Sequence, residues 1–139
     1  MNMPNTTSEY LLLFRGSDWV RDLSPADLQK YLSASMAWFD RLSAEGKARG
    51  GQPLTDDRRI VSGKGGRVMS DGPFAESKEV IGGYLLIHAD SFDDATAIAQ
   101  TCPALEYGSS IEVRPIAAEC PSHQHARQLA AQELASAGV

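Results

Sequence analysis

The side chains of this chain that could do chemistry fall into two short stretches. The first is SDGPFAESKEVIGGYLL, residues 70–86. Asp71 can accept hydrogen bonds from nearby backbone N–H groups, or it can present a carboxylate to a ligand. Pro73 fixes its own φ and restricts Gly72 before it, so the turn Asp71-Gly72-Pro73-Phe74 is stiff. A purely structural account makes this an Asx-type turn with Phe74 anchoring the loop in the core. Glu76, Lys78 and Glu79 follow, and as a solvated charge run they require no function. Gly82-Gly83 then interrupts the most apolar run of the chain. Adjacent glycines weaken a strand, so a bulge, packing against a helix or close approach of a ligand should compensate.

The second stretch is IEVRPI, where Glu112 and Arg114 stand two apart and so share one face of a strand. On a covered sheet face, two charges must pair or bind something. They read as an ion pair, within the chain or across a dimer, or as an anion site built on Arg114. The histidines offer less. His88 ends a strand and can titrate near neutrality, although simple exposure to solvent accounts for it. His123 and His125 have H-x-H spacing in a polar tail without a third ligand nearby, so no metal site is expected. Gly63 to Gly66 reads as a hairpin turn rather than a phosphate loop, and no nucleophile elbow occurs. No cofactor is expected.

These stretches need a frame. At 139 residues the chain is expected to form one domain with a real core. A net charge of −5, with no basic run larger than Arg58-Arg59, argues against a nucleic-acid surface. No apolar stretch approaches the roughly 18 residues of a membrane helix. Residues 1–8 read as a loose start without signal-peptide layout, and Cys102 and Cys120 as reduced thiols, which together give a cytoplasmic expectation.

YLLLF, residues 10–14, is apolar at every position and reads as a strand buried on both faces. Ser24, Pro25 and Asp27 open a helix, Leu28, Tyr31, Leu32, Phe39 and Leu42 recur at helical spacing, and Gly46 stops it. A hairpin is expected over residues 59–62 and 67–70, then a strand over residues 79–88. Ser91 with Asp94 opens a second helix that ends at Pro103, and residues 111–116 form the last strand. Residues 118–139 are expected to form a surface helix.

The order strand, helix, hairpin, strand, helix, strand is the ferredoxin-like βαββ(β)αβ plan, an α+β fold with an antiparallel sheet and both helices on one face. Tyr10, Leu12 and Phe14 then point one way, and Leu11 and Leu13 the other. Tyr84 and Leu86 likewise oppose Leu85 and Ile87. Large side chains left bare on the second face would form one apolar patch, so a homodimer with two facing sheets is expected.

DGPF at Asp71 to Phe74, with its continuation through residue 87, together with YLLLF, SPADL and YGSSIEVRPI, resembles the DGPF branch of the YCII-related superfamily over about residues 9–117. The resemblance implies a dimeric α/β-barrel, relatives that act on small aromatic or chlorinated molecules, and an association with extracytoplasmic-function sigma factors. YCII-type members proposed as enzymes pair an early histidine with a later aspartate. Asp71 fits the aspartate position, but residues 10–51 contain no histidine, which favours binding over catalysis.

The resulting expectation is a small, anionic or aromatic ligand held between the sheets under the DGPF loop. Asp71, Arg114 and Glu112 would supply polarity, Pro73, Phe74 and Tyr84 the walls, and Gly72, Gly82 and Gly83 the room. The alternatives are a hydrolase- or dehydrochlorinase-like enzyme with Asp71 as base, assisted by Glu112 or His88, and a sigma-factor interaction module without a ligand.

Overall fold

The computed structural model describes residues 8–16, 18–69 and 80–137. The Asp71-Gly72-Pro73-Phe74 turn, with Glu76, Lys78 and Glu79, lies outside the described residues.

A four-stranded sheet organises the chain. It is formed by β1 (Glu9–Arg15), β2 (Ala48–Pro53), β5 (Ile81–His88) and β6 (Ser110–Pro115), in the order β2-β5-β1-β6. All three pairings are antiparallel. The strands joined through α1 (Pro25–Ala44) and α2 (Phe92–Gln100) are therefore parallel but never adjacent, as the ferredoxin-like plan requires. Short 3-10 turns follow β1 (Asp18–Asp22) and α2 (Pro103–Tyr107).

The expected hairpin exists as β3 (Ile60–Ser62) and β4 (Arg67–Met69), but it forms a two-stranded sheet of its own. The second strand of the main sheet is β2 instead. Its sequence, ARGGQP, carries no apolar alternation because all but Ala48 of this edge strand is exposed. Periodicity therefore had nothing to detect.

The helices begin where their caps dictate. Ser24 Oγ accepts from the Asp27 N–H at 3.1 Å, and Ser91 Oγ accepts from the Asp94 N–H at 3.0 Å. At the far end of α1, Gly46 takes φ +73° and the Lys47 N–H reaches the Leu42 carbonyl at 2.8 Å, a left-handed helix stop. The phase of α1 differs from the expected one. Trp38 and Leu42 are its buried residues, whereas Leu32, Met36 and Phe39 lie on an exposed flank.

Strand pleating sorts the sheet residues cleanly. Tyr10, Leu12, Leu85 and Ile87 are buried against Trp38 and Leu42 of α1 and Ala95, Ile98 and Ala99 of α2. The opposite face carries Leu11, Leu13, Leu86 and Tyr84, none of which is buried, and neither helix covers it. Beyond β6, α3 (Pro121–Ser136) contains no buried residue.

Backbones approach most closely where β2 meets β5. A Cβ on Gly51 would fall onto the Tyr84 carbonyl oxygen and within 2.9 Å of Leu85 Cα, atoms that cannot swing aside. Gly51→Ala should therefore destabilise the fold by about 2 kcal/mol or more. Chemical denaturation checks this: an unchanged midpoint would show that β2 can move away from β5 without loss.

Candidate functional site

A cavity of about 510 Å³ lies between α1 and the β2–β5 side of the sheet. Its volume falls within the range of small-molecule pockets. Glycines make its floor: Gly50 and Gly51 from β2, Gly82 and Gly83 from β5. The register sets Gly51 opposite Leu85 and Pro53 opposite Gly83, so the two glycine pairs are offset along the strands and each faces side-chain-bearing residues of the other. Where they sit, no side chain rises to fill the gap beneath α1.

The roof is one side of α1, with Tyr31, Ser35 and Trp38 facing inward and the partly exposed Phe39 bordering the cavity. Positions 31, 35 and 38 are spaced i, i+4, i+7, so a single helix face presents all three. Trp19 and Phe14 close one end, and Cys102, Ala104 and Ser109 form a further wall.

Aromatic rings lock this wall together. The ring of Trp19 meets Tyr31 edge-on at 4.9 Å and stacks on Tyr107 at 6.2 Å. The ring of Trp38 meets Phe39 at 5.1 Å and Phe14 at 6.5 Å. Both indole N–H groups are already used. That of Trp19 donates to the Gly16 carbonyl at 2.8 Å, and that of Trp38 to Thr101 Oγ1 at 2.7 Å. The tryptophans thus offer a ligand ring surface rather than donors. Ser109 is buried and its hydroxyl donates to the Arg15 carbonyl at 3.2 Å.

No Asp, Glu, Lys, Arg or His occurs among the described lining residues. The titratable groups of the helix-side wall are Tyr31 and Cys102. Burial pushes both pKa values up, with the Ser35 hydroxyl partly offsetting it for Tyr31 and a backbone hydrogen bond at Ala104 for Cys102. Both stay protonated at neutral pH.

The residues expected from sequence separate into three groups. Gly82 and Gly83 line this cavity, and Tyr84 borders it although its side chain lies on the uncovered sheet face. Glu112 and Arg114 do not: strand alternation sets them on the uncovered face, where Glu112 Oε1 takes Arg15 Nη1 at 3.1 Å and Oε2 takes Arg114 Nη1 at 3.2 Å. The two charges form an ion pair within the chain, with Arg15 added. Asp71, Gly72, Pro73 and Phe74 lie outside the described residues. His88 borders a separate, charged groove of about 590 Å³ between the end of α1 and α2, shared with Arg41, Lys47 and Asp94. Among the described residues, no group of His, Cys, Asp and Glu could hold a metal, and no helix is long and apolar enough to cross a membrane.

The sequence profile of the YCII-related domain matches residues 11–119. The chain belongs to the YCII-related domain family. No curated protein matches the sequence significantly. Among solved structures, the chain is similar to 5-chloro-2-hydroxyhydroquinone dehydrochlorinase from Burkholderia phenoliruptrix AC1100, in complex with 2,5-dihydroxybenzoquinone. Identity is 19%, covering 83% of this chain and 97% of that one, with a TM-score of 0.44. That chemistry is a property of that enzyme.

Sequence reasoning missed Trp19, Trp38, Ser35 and the Gly50-Gly51 pair. The i, i+4, i+7 spacing of Tyr31, Ser35 and Trp38 was a usable signal, as was the repetition of Gly-Gly in ARGGQP and IGGYLL.

The two cysteines of this YCII-related domain are free and oppositely placed. Cys120 is exposed at the start of α3, where the backbone N–H groups of Ser122 and His123 lower its pKa. Cys102 is buried in the cavity wall, and burial raises its pKa. At pH 7 iodoacetamide should label Cys120 faster than Cys102 by an order of magnitude or more. The Cys120 rate should reach half its maximum below the ordinary thiol pKa. Peptide mapping by mass spectrometry checks both, and equal labelling would mean that the cavity wall opens freely.

Proposed function

We propose that this YCII-related domain binds a small, neutral aromatic molecule in the cavity between α1 and the sheet, and that it does so as a homodimer. The observation that carries the reading is the wall itself: five aromatic side chains over a glycine floor, without a fixed charge among the described lining residues. Apolar walls with a few hydroxyls suit a planar ring. They do not suit a carboxylate or phosphate, which would lose its hydration without gaining a cation. Of the anionic and aromatic ligands open from sequence, this wall favours the aromatic one.

The enzyme alternative draws less support. Neither Glu112 nor His88 lines the cavity, so the two groups paired with Asp71 in that reading are not at hand. Asp71 keeps a place in the binding reading through chain length. Asp71 precedes Ile81 by ten residues, a reach of at most about 36 Å, and β5 begins where the glycine floor begins.

The homodimer rests on Leu11, Leu13, Leu86 and Tyr84, which form an uncovered apolar strip flanked by the Arg15, Glu112 and Arg114 cluster. A second sheet of the same kind would bury that strip. In sedimentation the native protein should run at twice the protomer mass, and Leu13→Asp should shift it to the protomer. A native protein that sediments as a single chain at micromolar concentration would remove the dimer from the proposal.

Ligand binding has a built-in reporter, because the chain contains two tryptophans and both line the cavity. Naphthalene should quench their fluorescence and raise the melting temperature, while benzoate and inorganic phosphate should do neither. Ser35→Phe, which fills the space, should abolish the quench. Benzoate binding as strongly as naphthalene would overturn the neutral-ligand reading.

A further inference from the structure

One end of the cavity is marked by a single row of residues across three strands. Phe14 of β1 lies opposite Gly83 of β5, and Gly83 lies opposite Pro53 of β2. All three line the cavity. Just beyond that row the chain leaves β1 and β2, one on each side of β5. On the β1 side the Gly16 N–H donates to the Val80 carbonyl at 2.9 Å, and the 3-10 turn Asp18–Asp22 follows. On the β2 side the Leu54 N–H donates to the Gly82 carbonyl at 2.9 Å.

Both departing segments carry cavity wall. Trp19 and Val20 line it from the 3-10 turn, and Gln52 and Pro53 from the end of β2. Directly after these residues the two segments are joined. Arg21 Nη2 donates to Asp56 Oδ2 at 2.8 Å, between positions 35 residues apart. The link therefore spans the start of β5, from the β1 side to the β2 side. Its side chains are 69% and 59% exposed, and a pair so open to water adds little to the stability of a fold. What sets it apart is what it joins. The comparably exposed pair of Lys47 and Glu45, at 3.1 Å, ties near neighbours in sequence, and neither of them lines the cavity.

We propose that the Arg21–Asp56 ion pair is a latch over this end of the cavity: the ligand enters and leaves between the 3-10 turn and the end of β2, and the pair breaks at each passage. The latch rests on the binding reading above and adds to it the route and the control of exchange. Because it joins wall to wall rather than wall to ligand, it slows association and dissociation alike and leaves the affinity unchanged. Because its partners are exposed, salt weakens it, with screening at about 1 M acting over roughly 3 Å, the length of the pair itself. Exchange of an uncharged ligand is thereby made sensitive to ionic strength.

Stopped-flow tryptophan fluorescence with naphthalene, on the full chain, tests the latch. Asp56→Asn should raise the association and dissociation rate constants together by about two- to fivefold, the span that one exposed ion pair allows, with the dissociation constant unchanged. Raising sodium chloride to about 1 M should speed exchange in wild type more than in Asp56→Asn, which lacks the pair. The charge-exchanged variant, Arg21→Asp with Asp56→Arg, should return to slow exchange, and Glu45→Gln should leave the rates as they are. Equal rates in wild type and Asp56→Asn would overturn the latch and put the entrance elsewhere, with the cavity reading standing. Weaker binding at an unchanged association rate would overturn it as well, since the pair would then hold the ligand rather than the wall. If naphthalene does not quench the wild-type protein, the cavity reading fails and the latch fails with it.

Discussion

Everything at the site depends on how closely two backbones approach. At Gly51 the β2 chain runs so near Tyr84 and Leu85 of β5 that no side chain fits between them. Gly83 is only slightly less crowded, with the Gln52 carbonyl oxygen 3.2 Å from where its Cβ would stand. The strands can pair there because each sets a glycine where the other comes closest. Those glycines lack the side chains that elsewhere fill the space between sheet and helix. Leu85, directly opposite Gly51, and Ile87 beyond it are buried in the same core cluster as Leu42 of α1. Close strand pairing and an open cavity are two results of one local choice of residue.

Trp38 turns that gap into a stable hollow. It is 2% exposed, its ring braces Phe14 and Phe39, and its N–H is tied to Thr101 just past the end of α2. Thr101 Oγ1 passes its own proton to the Ile98 carbonyl at 2.7 Å. The two helices are thereby joined by a short polar chain above an apolar core. Such a bridge fixes the spacing of α1 from α2, so the helix does not collapse onto the bare glycine floor. An indole at this point supplies both the bulk that props the roof and the donor that anchors it.

The sequence made much of this frame legible. YLLLF declared a strand apolar on both sides, and the structure buries Tyr10 and Leu12 while leaving Leu11 and Leu13 on the open face. Ser24 and Ser91 announced their helices because a cap is a local device, read from three residues. The failures were of a different kind. The β2 strand is an exposed edge without hydrophobic alternation, held by backbone pairing alone, so periodicity passed over it and settled on the β3–β4 hairpin. The site residues were half visible. Gly82 and Gly83 stood out because glycines break an apolar run, whereas Tyr31 looked like any helix apolar position and Trp38 was passed over. Their meaning depends on what lies across the gap, and that is set by residues at least ten positions away in sequence. Glu112 and Arg114 were legible as a pair, but a strand pattern alone does not say which sheet face receives a helix.

The chemistry of the wall also bears on what the domain does with a bound molecule. Proton transfer at neutral pH needs a group whose pKa lies near 7. Tyr31 and Cys102 are moved away from that range, because burial holds a phenol and a thiol in their neutral forms. Neither is paired with a histidine or carboxylate among the described lining residues, so neither is activated as a nucleophile. The same burial that disables them as bases makes them steady neutral contacts across a wide pH range. A cavity of rings, hydroxyls and a protonated phenol is equipped to hold and to discriminate. Turnover would require a charged group from outside these lining residues.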